Sequence, residues 1–299
     1  MTPLRRARPE PATPAPFVVG VGRSGTTLLR MMLDAHPELA IPAETHFVPA
    51  LIERAKGGAG ADELVEEILG VRGWADFGLD PDRLRERVRG LGRPGAAAVL
   101  RGFYGLCAER EGKRRWGDKT PIYVTRMHVI GGELGEARFV HLIRDGRDVA
   151  LSRRRRGMGA GKPIADTAER WRRRIEDARR QARRLRGRYL ELRYEDLVGD
   201  PEPQLRRVCE LIELDYDPAM LGYHERAGER LGELADLPAE GARRGRAGDE
   251  RRASHALAAQ PPSGARTGAW REEMSAADRA EFEAVAGALL AELGYDVPS

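Results

Sequence analysis

The feature that most restricts the fold of this 299-residue chain is the stretch FVVGVGRSGTTLLRMMLD at Phe17–Asp34. Its first three residues are apolar and predict a buried strand. Gly20, Gly22 and Gly25 then predict a tight turn, and from Leu28 onward apolar residues recur at helical spacing. A strand that turns through glycines into a helix presents unpaired backbone N–H groups and the positive end of the helix dipole to an anion. The stretch therefore predicts an anion-binding loop in an α/β fold, with an ordinary glycine-rich βα turn as the alternative.

The loop fits only the first half of the P-loop pattern GxxxxGK[ST]. The spacing of Gly20 and Gly25 is correct, but Thr26 stands where a nucleoside triphosphatase has its lysine. Thr26 and Thr27 add hydroxyl groups, and Arg23 adds a forked cation suited to phosphate or sulfate. We therefore expect the loop to hold a terminal phosphate of a donor other than a nucleoside triphosphate.

Length and composition indicate a soluble globular protein. The chain is 41% hydrophobic and 33% charged, with a net charge of +4, and it is long enough to bury a substantial core. Cys107 and Cys209 match no metal-ligand or CxxC spacing, which predicts reduced thiols in a cytoplasmic protein. No apolar run approaches the roughly 20 residues of a membrane span. Residues 1–16 lack the apolar core of a signal peptide, so we expect a disordered tail before a domain at 17–299.

Glu44 is a candidate for chemistry because it follows the strand predicted at Leu39–Ile41. Open α/β sheets bind their ligands at the carboxyl ends of strands. A carboxylate there can act as a general base, and His46 is a rival for that role. The alternative is that Glu44 is only a favourable acid at the start of the helix predicted at Phe47–Lys56.

Two further strand ends carry cations. Lys119 lies where an extended segment turns into a helix, so it is either a point charge for a bridging oxygen or a solvated surface lysine. Arg144 leaves the buried strand 137–143, and Ser152 lies two helical turns further on. Together they can grip a second phosphate, although the same segment is also a plausible helix cap.

Three other segments complete the organisation. Residues 57–112 predict a helical insertion, either a substrate-facing lid or helices packed around the sheet. The arginine-rich helix at 164–186 has an apolar stripe, so its arginines are expected on a solvated face; a nucleic-acid surface lacks any recognised motif. Residues 225–268 have weak periodicity and predict a long loop or lid.

The chain resembles the sulfotransferases that use 3′-phosphoadenosine 5′-phosphosulfate (PAPS), especially their tyrosylprotein-like and bacterial branches. The resemblance rests on the stretches GRSGTTLLRMMLDAHPEL with AETHF, WGDKTP, FVHLIRDGRDVALS and LRYEDLVGDP, and on TGAWREEMS near the end. It covers most of 17–299, apart from the insertion and the loop after 225. It implies a P-loop-type, three-layer α/β fold with a central parallel sheet flanked by helices.

The resemblance also implies roles for the candidate residues. The 5′-phosphosulfate would be held by Arg23, Ser24, Gly25, Thr26 and Thr27, the 3′-phosphate by Arg144 and Ser152, and the nucleotide would be touched by Tyr194. Glu44 falls where related enzymes keep the general base, and Lys119 matches the lysine that stabilises sulfuryl transfer. One departure is Arg23, where many cytosolic members have lysine and use a histidine base, so His46 stays an alternative.

The sequence thus predicts in-line sulfuryl transfer from PAPS to an acceptor hydroxyl on a small molecule, glycan, lipid or peptide tyrosine. No metal is expected, because the sulfuryl group is singly charged and no acidic cluster is evident. Two other classes stay open: a P-loop kinase or NTPase, which would need a loop lysine, and a nucleic-acid-binding protein resting on the arginine helix.

Overall fold

A computed structural model describes residues 13–92, 94–158, 161–237, 245–253 and 255–297 of the chain. Most of the tail predicted at 1–16 lies outside the described residues, but Ala15 and Pro16 belong to the first strand and are buried. Within the described ranges, no helix combines the length and the apolar character that crossing a bilayer requires.

The strands are β1 Ala15–Gly20, β2 Leu39–Ala40, β3 Arg115–Trp116, β4 Asp118–Lys119, β5 Ala137–Ile143 and β6 Tyr189–Arg193. The centre of the fold is a parallel sheet of four of them in the order β4-β1-β5-β6. A separate parallel pair joins β2 and β3. In the four-stranded sheet, Phe17 is in register with Asp118 on one side and with Phe139 on the other. Because the strands are parallel, their carboxyl ends meet at one edge.

Helices fill the connections between the strands. Before β5 they are α1 Thr26–Asp34, α2 Val48–Lys56, α3 Ala61–Leu69, α4 Pro81–Arg89, α5 Ala96–Arg110 and α6 Met127–Glu133. After β5 they are α7 Gly146–Arg154, α8 Ile164–Ala182, α9 Tyr194–Gly199, α10 Pro201–Leu211, α11 His224–Gly232, α12 Gly248–Ala253, α13 Trp270–Glu273 and α14 Ala276–Glu292.

The core consists of two apolar clusters. The larger contains β1, most of β5 and the helices α1, α2 and α5, and the smaller joins α7, α8 and α14 around Trp171 and Phe282. Every residue of β1 is buried, as expected for a central strand covered on both faces. The predicted α/β fold with a central parallel sheet flanked by helices is confirmed.

The segment 57–112 contains the helices α3, α4 and α5. Their apolar faces belong to the main core, where the rings of Phe77 and Phe103 lie 5.0 Å apart and Phe103 lies 5.2 Å from Phe47. The three helices thus pack around the sheet, and a role as a substrate-facing lid stays a prediction.

The described residues of the segment 225–268 are more regular than a long loop. It contains most of α11, the helix α12 and 3-10 turns at Ala256–Ala259 and Gly264–Arg266. Its arginines anchor it to the rest of the fold: Arg230 lies 2.8 Å from Asp34, and Arg251 pairs with the buried Asp76. The sequence pattern does not predict these elements, because ionic contacts to distant residues stabilise them and such contacts leave no regular apolar spacing.

Candidate active site

The glycine-rich loop between β1 and α1 has the geometry of an anion cradle. Gly25 adopts a left-handed conformation, with φ of 93°, immediately before the first turn of α1. No side chain in the described part of the chain caps that turn, so its backbone N–H groups are available to a ligand. Within the loop, the hydroxyl of Ser24 is buried and has no hydrogen-bond partner among the described residues. Thr26 and Thr27 begin α1.

Gly25 is required for steric reasons as well as for its backbone angle. A Cβ atom at this position would lie 2.4 Å from the ring of Tyr194, which follows β6. Tyr194 is itself covered by the guanidinium of Arg144, 4.5 Å from the ring centroid. The ends of β1, β5 and β6 are therefore packed directly on one another at this edge of the sheet.

Glu44 and Lys119 meet above the loop. One carboxylate oxygen of Glu44 lies 2.5 Å from Nζ of Lys119, and the other lies 3.0 Å from Nε2 of His46. The side chain of Lys119 is buried, that of Glu44 is 29% exposed and that of His46 is 62% exposed. Lys119 also lies 3.5 Å from the hydroxyl of Thr27, so the pair is joined to the first turn of α1.

The electrostatics of this pair favour an ionised Glu44. Burial by itself would raise the pKa of Glu44, but the ammonium of Lys119 and the contact with His46 outweigh it and hold the pKa well below the usual range. Burial also lowers the pKa of Lys119, against the opposing attraction of Glu44. At neutral pH the carboxylate is consequently in the form that accepts a proton.

A buried polar cluster beneath the pair fixes its position. The carboxylate of Asp118 accepts hydrogen bonds from the hydroxyls of Thr45, at 2.7 Å, and Tyr104, at 2.9 Å. The backbone N–H of Thr45 donates to the hydroxyl of Thr120 at 3.1 Å. Thr45 follows Glu44 in the chain, and Asp118 and Thr120 flank Lys119. The cluster therefore sets the two reactive side chains opposite each other.

A group of cations occupies the other end of the site. Nε of Arg23 donates to the hydroxyl of Ser152 at 3.2 Å, which links the loop to α7. Arg144 contacts the backbone oxygens of Arg23 and Arg266 and lies 3.8 Å from Asp148. The structure thus brings Arg23, Arg144 and Ser152 together, as the sequence predicts.

The chain after α12 supplies another wall. The carboxylate of Asp148 accepts hydrogen bonds from the backbone N–H groups of Gly268, at 2.8 Å, and Trp270, at 3.0 Å. These bonds hold the turn that carries Arg266 against α7. Sequence patterns do not identify Asp148 or Arg266, because the contacts of Asp148 with Gly268 and of Arg266 with Arg144 join segments at least 120 residues apart.

His255 is a further residue that sequence reasoning missed. Its Nδ1 lies 3.2 Å from the hydroxyl of Thr27. Burial, reinforced by the charge of Lys119, lowers the pKa of His255 to about 3, so the ring is neutral at physiological pH. Its position in an arginine- and alanine-rich segment gave no periodic signal that could have identified it.

Part of the glycine-rich loop, together with Glu44, Arg144, Ser152 and His255, lines one cleft of about 700 Å³. Its floor is the loop at 22–27, and its walls include Glu44, Arg144 and His255. The cleft is rich in arginine. It is also bordered by three exposed apolar side chains, which are Ile122, Met158 and Leu257. The arrangement can bind a polyanion along the basic part and present a hydroxyl group to Glu44.

The model of the sulfotransferase family matches residues 14–218. The chain belongs to the sulfotransferase family. The family resemblance predicted from the sequence motifs is therefore confirmed, and the matched region contains every catalytic and donor-binding residue that those motifs singled out. The segment carrying His255 and Arg266 lies beyond the match.

Among relatives, the family includes protein-tyrosine sulfotransferase 1 of Danio rerio, which is 27% identical over 225 residues. The match covers 73% of this chain and 58% of that protein, so the chain spans little more than half of that relative's length. The putative protein-tyrosine sulfotransferase of Caenorhabditis briggsae is 26% identical over 219 residues, covering 72% of this chain and 71% of its own.

Solved structures of sulfotransferases share the fold. The sulfotransferase domain of the Synechococcus PCC 7002 olefin synthase is 26% identical, with a TM-score of 0.60, and the match covers 97% of this chain and 98% of the domain. The sulfotransferase domain of the curacin biosynthetic pathway, at 19% identity and the same TM-score, covers 96% of this chain and 99% of its own.

Proposed function

We propose that this chain transfers a sulfuryl group from PAPS to an acceptor hydroxyl. The observation that carries the proposal is the pairing of Glu44 with Lys119, 2.5 Å apart, beside the anion-binding loop. This arrangement provides a base for the acceptor and a cation for the transferred group at one place. Membership of the sulfotransferase family supports this reaction over a kinase or NTPase, as does Thr26 in the position of a Walker lysine.

In the proposed complex, the loop holds the 5′-phosphosulfate of the donor. Backbone N–H groups around Gly25 and the hydroxyls of Ser24, Thr26 and Thr27 donate hydrogen bonds to it. The unpartnered hydroxyl of Ser24 supports this role, since a buried polar atom without a partner is costly in the absence of a ligand. Arg23 adds a positive charge beside the loop.

The rest of the donor lies along the basic part of the cleft. Arg144 and Ser152 contact the 3′-phosphate, and Tyr194 contacts the nucleotide. We propose that these side chains and the N-terminus of α1 neutralise the negative charge of the donor, and that no metal ion takes part.

The reaction is an in-line displacement at sulfur. The acceptor oxygen forms a bond to sulfur while the bond from sulfur to the bridging oxygen breaks, and adenosine 3′,5′-bisphosphate (PAP) leaves with the electron pair. Glu44 accepts the acceptor's proton. Lys119 and Arg23 stabilise the negative charge that develops on the bridging and sulfuryl oxygens. Positioning and electrostatics supply most of the catalysis, as in phosphoryl transfer.

We assign the base to Glu44 rather than to His46. Glu44 contacts Lys119 directly, whereas His46 is more exposed and reaches Lys119 only through Glu44. His46 also adopts a left-handed backbone conformation, with φ of 57°, which is unfavourable for a non-glycine residue. Its Nε2 lies 3.0 Å from Glu44, where the ring can orient the carboxylate.

The acceptor is proposed to be a hydroxyl-bearing small molecule, glycan, lipid or peptide tyrosine. The names of the relatives support a tyrosine, and the apolar side chains at the rim of the cleft fit any acceptor with an apolar body. A cytoplasmic location is proposed because Cys107 and Cys209 are free, buried thiols.

The decisive test is ligand stabilisation followed by turnover. Binding to the native state stabilises it by about 2.7 kcal/mol at a ligand concentration 100 times Kd. We expect PAP to raise the melting temperature and ATP with Mg²⁺ to leave it nearly unchanged. Stabilisation by ATP with Mg²⁺ but not by PAP would identify a kinase or NTPase instead. Release of PAP from PAPS in the presence of hydroxyl acceptors then measures the reaction itself.

A further inference from the structure

One face of α1 carries polar side chains into the core. Thr27, Arg30 and Asp34 are spaced i, i+3 and i+7 along the helix, so these three residues form a polar stripe on one face. The side chains of Arg30 and Asp34 are buried, among the apolar side chains that make up most of the helix. Buried charges are costly unless they are paired or hydrogen-bonded, so the partners of this stripe are informative.

The stripe binds the segment that leads to the proposed base. Nε of Arg30 donates to the backbone oxygen of Ile41 at 2.9 Å, and the backbone N–H of Ile41 donates to the carboxylate of Asp34 at 2.7 Å. Both backbone polar groups of Ile41 are thus held by side chains of α1. Glu44 follows three residues later, so the chain enters Glu44 from a point that is fixed on α1.

The first residue of the stripe contacts the other member of the reactive pair. The hydroxyl of Thr27 lies 3.5 Å from Nζ of Lys119, which binds Glu44. Thr27 belongs to the first turn of α1, where the sulfuryl donor is proposed to bind. One helix therefore contacts the proposed donor site, Lys119 and the segment before Glu44.

Fold stability does not by itself explain Arg30. Its Nη2 is buried, has no hydrogen-bond partner within the described ranges and lies 4.0 Å from Glu233. A buried cation with an unbound N–H group destabilises a fold relative to an apolar side chain of similar volume. What the guanidinium does provide is the hydrogen bond to Ile41, which an apolar side chain could not make.

We propose that Arg30 is a positioning residue for sulfuryl transfer: it fixes the segment that carries Glu44 to the helix whose N-terminus holds the sulfuryl donor. This inference rests on the proposed function, since it takes PAPS as the donor and Glu44 as the base. A single helix then sets the separation between the sulfur atom and the carboxylate that receives the acceptor's proton. Loss of this connection lowers turnover but spares donor binding, because the N–H groups of the glycine-rich loop stay in place.

The test measures PAP release from PAPS and PAP affinity in the full chain carrying Arg30→Gln. We expect kcat to fall roughly 10- to 100-fold, the effect of displacing a reacting group by up to about 1 Å, while PAP affinity changes only a few-fold. Arg30→Lys, which keeps a cationic hydrogen-bond donor, should recover part of the loss. Glu111→Gln is the matched control, because it removes a charge from the neighbouring ionic cluster, where it contacts Arg230 at 2.8 Å, and leaves Arg30 in place. Its kcat should stay near that of wild type.

The pH profile supplies a readout that a merely structural role would not move. Burial lowers the pKa of Lys119, Glu44 and Asp118 raise it, and the charge of Arg30 lowers it. His255, on the adjoining segment, is neutral at physiological pH, since burial lowers its pKa to about 3. Removal of the charge of Arg30 should therefore move the alkaline decline of kcat to higher pH, whereas the control variant should keep the wild-type profile.

The outcomes distinguish this inference from the proposed function. A wild-type protein that releases no PAP from PAPS with any hydroxyl acceptor would contradict the proposed function and the inference with it. A normal kcat or an unmoved alkaline decline in Arg30→Gln would overturn the inference alone. Equal losses of kcat and PAP affinity, or a loss of kcat that Glu111→Gln shares, would indicate a structural effect and overturn it as well. If Arg30→Gln does not fold, Arg30→Lys replaces it: a kcat below that of the control supports the inference, and an equal kcat overturns it.

Discussion

Nζ of Lys119 lies 2.5 Å from a carboxylate oxygen of Glu44, although the two residues are 75 positions apart in the chain. They come from different sheets: Glu44 follows β2, and Lys119 ends β4. The hydrogen bonds of Thr45 to Asp118 and Thr120 join those two elements from below. The pair is therefore a product of the buried polar cluster, and its geometry is set before any ligand arrives.

Replacing Glu44 by glutamine tests the base. General base catalysis contributes typically 10²- to 10⁴-fold, so we expect kcat of Glu44→Gln to fall by about that factor, with PAP affinity changed only a few-fold. His46→Gln is the control and should lose less than about tenfold, because His46 only contacts Glu44. Steady-state kinetics with PAPS, together with PAP titrations, measure both effects. A large loss in His46→Gln with near-normal turnover in Glu44→Gln would transfer the role to the histidine.

The same carboxylate predicts a pH-dependent stability. The folded-state pKa of Glu44 is depressed, so its contribution to the free energy of unfolding is present above the ordinary pKa of 4.5 and declines as the pH falls below that value. Urea unfolding should show Glu44→Gln less stable than wild type at pH 7, with the difference shrinking towards pH 3. A difference that stays constant over this range would mean that the ion pair does not cause it.

The lowered pKa of Lys119 predicts how activity changes with pH on the alkaline side. Because burial lowers its pKa below the ordinary value of 10.5, the cationic form is lost as the pH rises through a value lower than that. We expect kcat to decline on the alkaline side in wild type. Lys119→Arg should be less active, since a planar guanidinium fits the position poorly, but its profile should stay flat to higher pH. An alkaline decline at the same pH in both proteins would assign that titration to another group.

Gly25 and Gly22 form a matched pair within the loop. Alanine at 25 would combine a positive φ with a contact of 2.4 Å to the ring of Tyr194, whereas no heavy atom of the described residues lies within 4 Å of a Cβ at 22. We expect Gly25→Ala to lower the free energy of unfolding by about 1–3 kcal/mol and to abolish stabilisation by PAP. Gly22→Ala should leave the unliganded stability within about 0.5 kcal/mol of wild type. Equal stabilities of the two variants in urea would contradict the steric role of Gly25.

Arg230 holds a cluster of buried acids together. Its guanidinium contacts Asp34, Glu111 and Glu233 at 2.6–2.8 Å. Removing one partner of a buried charge cluster costs about 3–5 kcal/mol, so Arg230→Ala should lower the free energy of unfolding by that amount. Arg226→Ala is the control on the same helix: its exposed side chain lies 4.0 Å from Glu229, and its loss should cost under about 0.5 kcal/mol. Comparable costs would show that the cluster does not anchor α11.

The sequence is sufficient to predict the elements that depend on local residue patterns. The apolar run and glycines at 17–25 predict the first strand and the loop correctly, and the ends of β4 and β5 place Lys119 and Arg144 at the expected edge. Parallel strands bring such ends together without knowledge of any side-chain contact. The positions of these candidate residues thus followed from topology alone.

The remainder of the site depends on distant pairs that no local pattern encodes. Tyr194 leaves no room for a side chain at position 25, because the ends of β1 and β6 pack on each other. Tyr104 donates a hydrogen bond to Asp118 from α5, a helix in the segment for which the sequence predicts either a lid or packing around the sheet. His255 and Arg266 lie in a segment whose composition resembles a loop. Their places follow from charged contacts such as Arg251 with Asp76, which are visible only after folding.

The bonds of Asp148 to Gly268 and Trp270 have a consequence for the order of assembly. They close a loop of 120 residues or more, and such closure is entropically costly, so contacts of this kind tend to form after local ones. The sheet and the glycine-rich loop can therefore be complete while one wall of the cleft is still missing. We expect the same wall to be the first to detach on local opening, since it is held by a few long-range contacts. A protease cut near Arg266 should consequently abolish PAP binding in a protein whose core remains folded.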